Sequence, residues 1–298
     1  MSEVFTIKHG GACASVSTAG AQLMSLRKGD DEYLWQRDPQ WWPRCAPVLF
    51  PIVGNIRDDR ATSPAGEIKL GRHGIARSFE HELVEATEHK LVFSLSSSDE
   101  TRAQFPYDFV LQMTYELVDD ATLAQTFAVT NTGDVELPFC VGGHPAFNAP
   151  LASDAAAGET FEDFELRFAE AWSYASPTIS TATGLIDWSQ RFELLKDSDT
   201  LPLTHRTFDV DTLIWEDVPQ RSVSLVGSKS GHGVRLDFPG FDYLGVWSAA
   251  NDAPFVAVEP WTGVATGTDE DDDFTHKRGM ELLAPGATST HRFTITML

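Results

Sequence analysis

The stretch Phe109-Val110-Leu111-Gln112-Met113-Thr114-Tyr115-Glu116-Leu117 places a large apolar side chain at every odd position. A period of two is the signature of a strand with one face in a core, because successive side chains of extended backbone point to opposite faces. Asp119-Asp120 then reads as a turn. The alternation resumes over residues 121–130, with Leu123, Phe127 and Val129 on one side, and Asn131-Thr132-Gly133-Asp134 ends it with turn chemistry.

The same pattern returns at residues 221–226, 234–238 and 291–298. Short strands separated by turns predict an all-β fold, a sandwich or a barrel. Helical signal is scarce. Residues 99–104 read as one short turn, with Asp99 as N-cap and Pro106 closing it. No alternation of strand and helix supports a parallel α/β sheet. Three stretches read as loops: 38–60, rich in Pro, Trp and Gly; 152–160, small and polar; and 266–273 (TGTDEDDD), a charge run read as a solvated segment, with a calcium site as the other reading. No linker and no internal repeat is visible, so residues 1–298 read as a single domain.

The formal net charge is −22. Such a chain repels phosphate backbones and anionic lipid surfaces, which argues against nucleic acid and membrane as partners. Cys13, Cys45 and Cys140 are odd in number and widely spaced, fitting neither a disulfide framework nor a zinc knuckle. A reducing cytoplasm is the expected location. The first residues lack a signal-peptide pattern, and no apolar run reaches transmembrane length.

Five positions carry chemistry in their context. Glu259 ends the apolar run Phe255-Val256-Ala257-Val258, where an unpaired carboxylate is costly to bury and its pKa would rise toward that of a general base near neutral pH. Read alone, it is equally a strand-end salt-bridge residue. His144 follows Gly142-Gly143 and precedes Pro145; the glycines permit close backbone approach and the proline stiffens the exit. A structural histidine is the alternative. His73 and Arg77, four apart across Gly74, resemble a ligand-facing loop or simply a basic turn. Asp211, just before Leu213-Ile214-Trp215, could accept several sugar hydroxyls or serve a strand-entry turn. Trp247 and Trp261 are candidate stacking surfaces, Trp247 equally a core residue. Together these groups suit a neutral polyol, which wants an apolar face and short polar groups.

The motifs RCAPVLFPIVGNIRD (44–58), GRHGIARSFEHEL (71–83), VGGHPAFNAPL (141–151), FDVDTLIW (208–215), FPGFDYLGVWS (238–248) and VAVEPWTG (256–263) occur in an order and spacing that resembles the aldose 1-epimerase (galactose mutarotase-like) superfamily, and most closely its LacX-like branch. The resemblance runs from about Ala12 to Thr296. It implies a large antiparallel β-supersandwich, and an aldose 1-epimerase that interconverts the α and β anomers of a hexose without cofactor or metal. It implies His144 as general acid, Glu259 as general base, His73 as the second, substrate-holding histidine, and Asp211 as the hydroxyl-binding aspartate. Arg77 matches the arginine of a His-Gly-Phe-Ala-Arg motif, with Ile75 in place of Phe. Where galactose-specific members carry an adjacent Asn-Arg pair, Asn55 and Arg57 stand apart across Ile56; Arg57 is taken as substrate-binding. Cys45 replaces a residue that is often His and reads as packing.

Mutarotation needs a base on the anomeric hydroxyl and an acid on the ring oxygen, which we expect on opposite sides of the ring. Two rivals stand beside a free hexose as substrate. One is the same chemistry on a hexose 6-phosphate, for which Arg44, Arg57, Arg72 and Arg77 could supply the cationic cluster. The other is a non-catalytic carbohydrate-binding protein of the same fold. A monomer or a homodimer is expected.

Overall fold

The computed structural model describes residues 2–298, with 49% of the chain in strands and 9% in helices. The expected strand runs Phe109–Leu117 and pairs antiparallel with Thr122–Asn131, from Phe109 opposite Asn131 to Leu117 opposite Leu123. Its odd-numbered side chains are all buried. Each such side chain removed from water contributes roughly 1.5–3 kcal/mol, which holds the register because a one-residue slip would turn the whole apolar set outward.

These two strands belong to a nine-stranded antiparallel sheet. Its order is Ile186–Pro202, Phe164–Ile179, Ser222–Gly227, Gly233–Asp237, Thr288–Met297, Thr122–Asn131, Phe109–Leu117, Lys90–Ser96 and Glu82–Ala86. A second sheet carries Leu213–Glu216, Tyr243–Trp247, Phe255–Trp261, Gly142–Gly143 and Val48–Leu49, with Ala146–Asn148 also pairing to Phe255–Trp261. The two sheets face each other. A Cβ added at Gly143 of the second sheet would stand 2.7 Å from the Phe293 ring of the first. Phe255–Trp261 is buried at all seven positions. One of its faces meets the core; the other must therefore be covered by loops, or line a cavity.

Sequence expectations on local structure need four corrections. Residues 38–60, read as loop, contain the strand Val48–Leu49 of the second sheet. Ser98, not Asp99, caps the helix Asp99–Arg102: its hydroxyl accepts from the Thr101 N–H at 3.2 Å, and the Thr101 hydroxyl accepts from the Ser98 N–H at 2.8 Å. Residues 152–160 hold the short helix Ala152–Ala156 rather than loop alone. The acidic run 266–273 is tied down rather than merely solvated. Arg57 bonds the Asp272 carboxylate at 3.0 Å and the Gly267 and Glu270 carbonyls at 3.3 and 3.1 Å. The Thr62 N–H donates to the Asp272 carbonyl at 2.7 Å.

The long hairpin Phe164–Ile179 and Ile186–Pro202 has no clean alternation to announce it. Its register shifts at four places, so each bulge resets which side chain faces the core. No helix among the described residues is long and apolar enough to cross a membrane.

Gly143 is a test of the sheet-to-sheet spacing. Gly143→Ala forces a methyl against the Phe293 ring and should cost about 1–3 kcal/mol in urea unfolding. Gly11→Ala, where an added Cβ meets nothing within 4 Å, should cost much less. Equal effects would show that the sheets do not pack as tightly as this.

Candidate active site

Glu259 shares a face of its strand with Phe255, Ala257 and Trp261. Its partner on the neighbouring strand is Gly245, and a Cβ there would collide with the Trp261 indole. Gly142 stands opposite Trp261 on the other side, where a Cβ would lie 2.7 Å from Trp261 Cδ1. Glycines on both flanks thus leave room for the Trp261 ring beside the carboxylate. The second glycine of the pair, Gly143, lets the backbone lie against Phe293, and the next residue, His144, turns toward Glu259.

His144 Nε2 lies 3.3 Å from Glu259 Oε1. The two residues are 7% and 1% exposed. Burial is the dominant influence on both. It pushes the Glu259 carboxyl well above its ordinary range, against an opposing influence of the Trp261 indole and with nearby Asp211 adding to the effect. It holds the His144 imidazole down to about 3. The pair therefore favours its uncharged form. Glu259 Oε2 and the Trp261 indole nitrogen are buried without a hydrogen-bond partner. The imidazole and the carboxyl stand side by side.

The pair forms part of the lining of a solvent-open cleft of about 220 Å³. Trp42 stacks on the His144 ring, centroids 5.0 Å apart at 26°, and Trp247 meets the same ring edge-on at 5.8 Å. His73 approaches it from a third direction at 5.5 Å, ring planes at 88°. His73 sits at φ +66°, an uncommon conformation for a side chain of this size. Its N–H donates to the Gly54 carbonyl at 2.8 Å, and the Gly54 N–H donates back to His73 Nδ1 at 3.1 Å. An Nδ1 that accepts leaves the proton of the neutral ring on Nε2. Burial first, and then the neighbouring His144 and three arginines, disfavour a charge on His73 and lower its pKa far below the usual value.

Asp211 and Arg77 line the same cleft. The Asp211 carboxylate, at φ +71°, accepts from the Thr212 N–H and hydroxyl at 2.8 and 3.0 Å. Of the residues singled out in the sequence, the cleft thus brings together His73, Arg77, His144, Asp211, Trp247, Glu259 and Trp261. Arg57 is the exception. It points away from the cleft into the acidic run, bonded to Asp272, so it is not available to a sugar here. Trp42 was missed as a site residue, although a tryptophan in a Pro-rich loop is a signal of a stacking surface. The hairpin residues Ile179, Gly184 and Ile186, which form one wall, had no sequence signal at all.

Residues 3–292 match the family described as aldose 1-epimerase. The chain belongs to the aldose 1-epimerase family. It is 36% identical over 288 residues to the chromosomal and plasmid forms of protein LacX from Lactococcus lactis, covering 94% of this chain and 95% of each relative. Among solved structures it is similar to a galactose mutarotase related enzyme from Lactobacillus acidophilus (TM-score 0.93, 32% identity, 99% and 97% of the two chains). It is also similar to a galactose mutarotase-like protein from Lactobacillus casei (TM-score 0.89, 28% identity, 99% and 100%). The all-β supersandwich expected of the family is the fold observed.

The raised carboxyl has a consequence for stability. The unfolded chain ionises Glu259 near 4.5, whereas the folded chain keeps its proton to much higher pH. The folded state then binds more protons, and this contribution to stability is lost as pH rises from the first value through the second. Glu259→Gln removes the titration while keeping the shape. It should raise Tm over the native chain by a wider margin at pH 8 than at pH 4. Equal margins would mean that the folded carboxyl is not held protonated.

Proposed function

We propose that this protein is an aldose 1-epimerase that interconverts the α and β anomers of a hexose, with Glu259 and His144 as base and acid. The observation that carries the reading is the 3.3 Å approach of His144 Nε2 to Glu259 Oε1 in the lining of an aromatic cleft. The anomeric hydroxyl oxygen and the ring oxygen of an aldose are both bonded to C1. Two groups that must exchange protons with them are best placed as neighbours, not across the ring.

The pair carries one transferable proton. Its neutral and ion-paired forms differ only by where that proton sits, so the ion pair costs no proton from solvent. In the ion-paired form the Glu259 carboxylate takes the proton of the anomeric hydroxyl, while the His144 imidazolium gives its proton to the ring oxygen. The bond from C1 to the ring oxygen breaks and the C1 carbonyl forms. Rotation about C1–C2 then presents the other carbonyl face. In closure the ring-forming hydroxyl attacks C1, His144 recovers its proton and Glu259 returns one to the new anomeric oxygen.

The other residues hold the sugar for this exchange. Trp42 fixes the plane of the His144 ring by stacking. The neutral His73, with its Nε2–H free to donate, can bond a sugar oxygen near the reacting carbon. Asp211 has acceptor capacity for hydroxyls, and the Trp261 N–H is a further donor without a protein partner.

The test is the rate of anomer exchange, by polarimetry or exchange NMR, at a pH where the spontaneous reaction is slow. His144→Asn and Glu259→Gln should each lower kcat by about 10²–10⁴-fold while the variants stay folded, the usual worth of one positioned proton transfer. Anomer-selective binding with no rate enhancement by the native chain would instead mark a non-catalytic sugar-binding protein.

A further inference from the structure

Two buried polar atoms of complementary kind stand without a partner in the cleft. Glu259 Oε2 accepts when the carboxyl is ionised, and Trp261 Nε1 can only donate. The residues that carry them are 1% and 6% exposed, and both line the cleft. A buried group left unbonded loses its hydration without return, and a buried indole N–H usually finds a partner. An indole used for packing alone has no need of this arrangement. Phenylalanine would fill much of the space between Gly142 and Gly245 and strand no donor.

The strands bring the two atoms together. Glu259 and Trp261 are two positions apart on one strand and so share a face. The indole does not stand over its own row alone. Its Cδ1 lies against Gly142, the partner of Trp261, while Cε2, Cζ2 and Cη2 lie against Gly245, the partner of Glu259. Nε1 sits between Cδ1 and Cε2 in the ring, so the N–H edge runs from the row of Trp261 toward the row of Glu259. The ring is near enough to temper the rise in the Glu259 pKa, yet the N–H meets no protein acceptor. The other carboxyl oxygen, Oε1, faces His144 Nε2 at 3.3 Å.

A donor and an acceptor side by side are the complement of one hydroxyl, which accepts a bond and donates another. In anomer exchange the hydroxyl that must meet Glu259 is the anomeric one. We propose that Trp261 is a catalytic residue whose indole N–H donates to the anomeric oxygen while Glu259 Oε2 takes that oxygen's proton. This rests on the epimerase reading of the same cleft. As the O–H bond breaks, its electron pair forms the C1 carbonyl. The electron pair of the bond from C1 to the ring oxygen leaves with the ring oxygen, which takes the His144 proton. Negative charge passes through the anomeric oxygen on the way. The indole keeps its own proton throughout and stabilises that charge as a fixed donor in a largely buried place.

The experiment measures anomer exchange of glucose and galactose by Trp261→Phe beside the native chain. Phenylalanine keeps an aromatic ring between the two glycines and removes the N–H. With the sugar exchanged faster, kcat should fall about 10- to 100-fold, the worth of one bond to a charged oxygen, and KM should change far less. A native kcat overturns the role and leaves the epimerase intact. So does a raised KM with kcat kept, the mark of packing or of ground-state binding alone. Should the variant unfold, the native chain supplies a second measurement. The proton resonance of its Trp261 indole N–H should move downfield with the sugar, and far less with the analogue of that sugar lacking the anomeric hydroxyl. Equal shifts overturn the role. A shift that needs the anomeric hydroxyl, with no exchange by the native chain, keeps the donor at that oxygen and overturns the epimerase reading. No shift and no exchange with either sugar overturns both.

Discussion

The contact between His144 and Glu259 is the constraint around which the rest of the molecule is arranged. A carboxyl 1% exposed on a strand with every residue buried is expensive unless it is neutral or partnered. Here burial favours the protonated acid, and the imidazole beside it is held neutral by the same desolvation. The pair is thus favoured by burial in its uncharged form. Its placement depends on residues that are absent as much as on those present: glycines at 142, 143 and 245 make room for Trp261 and Phe293 to pack where side chains would otherwise stand.

The second sheet supplies the floor and the loops supply the walls. Ile214, Trp247, Glu259 and Trp261 come from three adjacent strands, so their spacing is set by the hydrogen-bonded ladder. Trp42 and His73 come from loops and need other restraints. The loop containing His73 is stitched to residues 50–54 by the paired bonds between His73 and Gly54 and by the Ile75 N–H donating to the Phe50 carbonyl at 2.8 Å. Gly54 and Gly74 both adopt positive φ, and side chains there would strike Ala265 and the Phe50 carbonyl. A loop held this closely can present an imidazole as reliably as a strand.

Charge is partitioned in the same way. The exterior is acidic, and most surface arginines are compensated where they stand. The acidic run 266–273, which by sequence looked like free solvated chain, is a clasp that takes up Arg57 and abuts the long hairpin through the Ile186 N–H to Thr266 carbonyl bond at 3.1 Å. The cleft is the opposite, with Arg44, Arg72 and Arg77 in its lining and no ion pair to any of them among the described residues. The helix cap shows how such local details escape a reading by residue type. Ser98 and Asp99 are both good caps, and only the reciprocal bonds with Thr101 choose between them.

Much was legible in the order of residues alone. The alternation from Phe109 to Leu117 dictates a one-sided strand, because extended backbone allows no other way to bury every odd side chain, and the sparse helical periodicity excludes the α/β classes. The chemical types at 73, 144, 211 and 259 mark candidates for proton transfer and hydroxyl binding. Their convergence on one cleft, the side-by-side approach of the imidazole and the carboxyl, the diversion of Arg57 and the exposure of three uncompensated arginines belong to the tertiary structure. Those features depend on strand pairings and loop contacts between residues distant in the chain, Arg57 and Asp272 being 215 positions apart, and no local pattern in the chain encodes the distance between such groups.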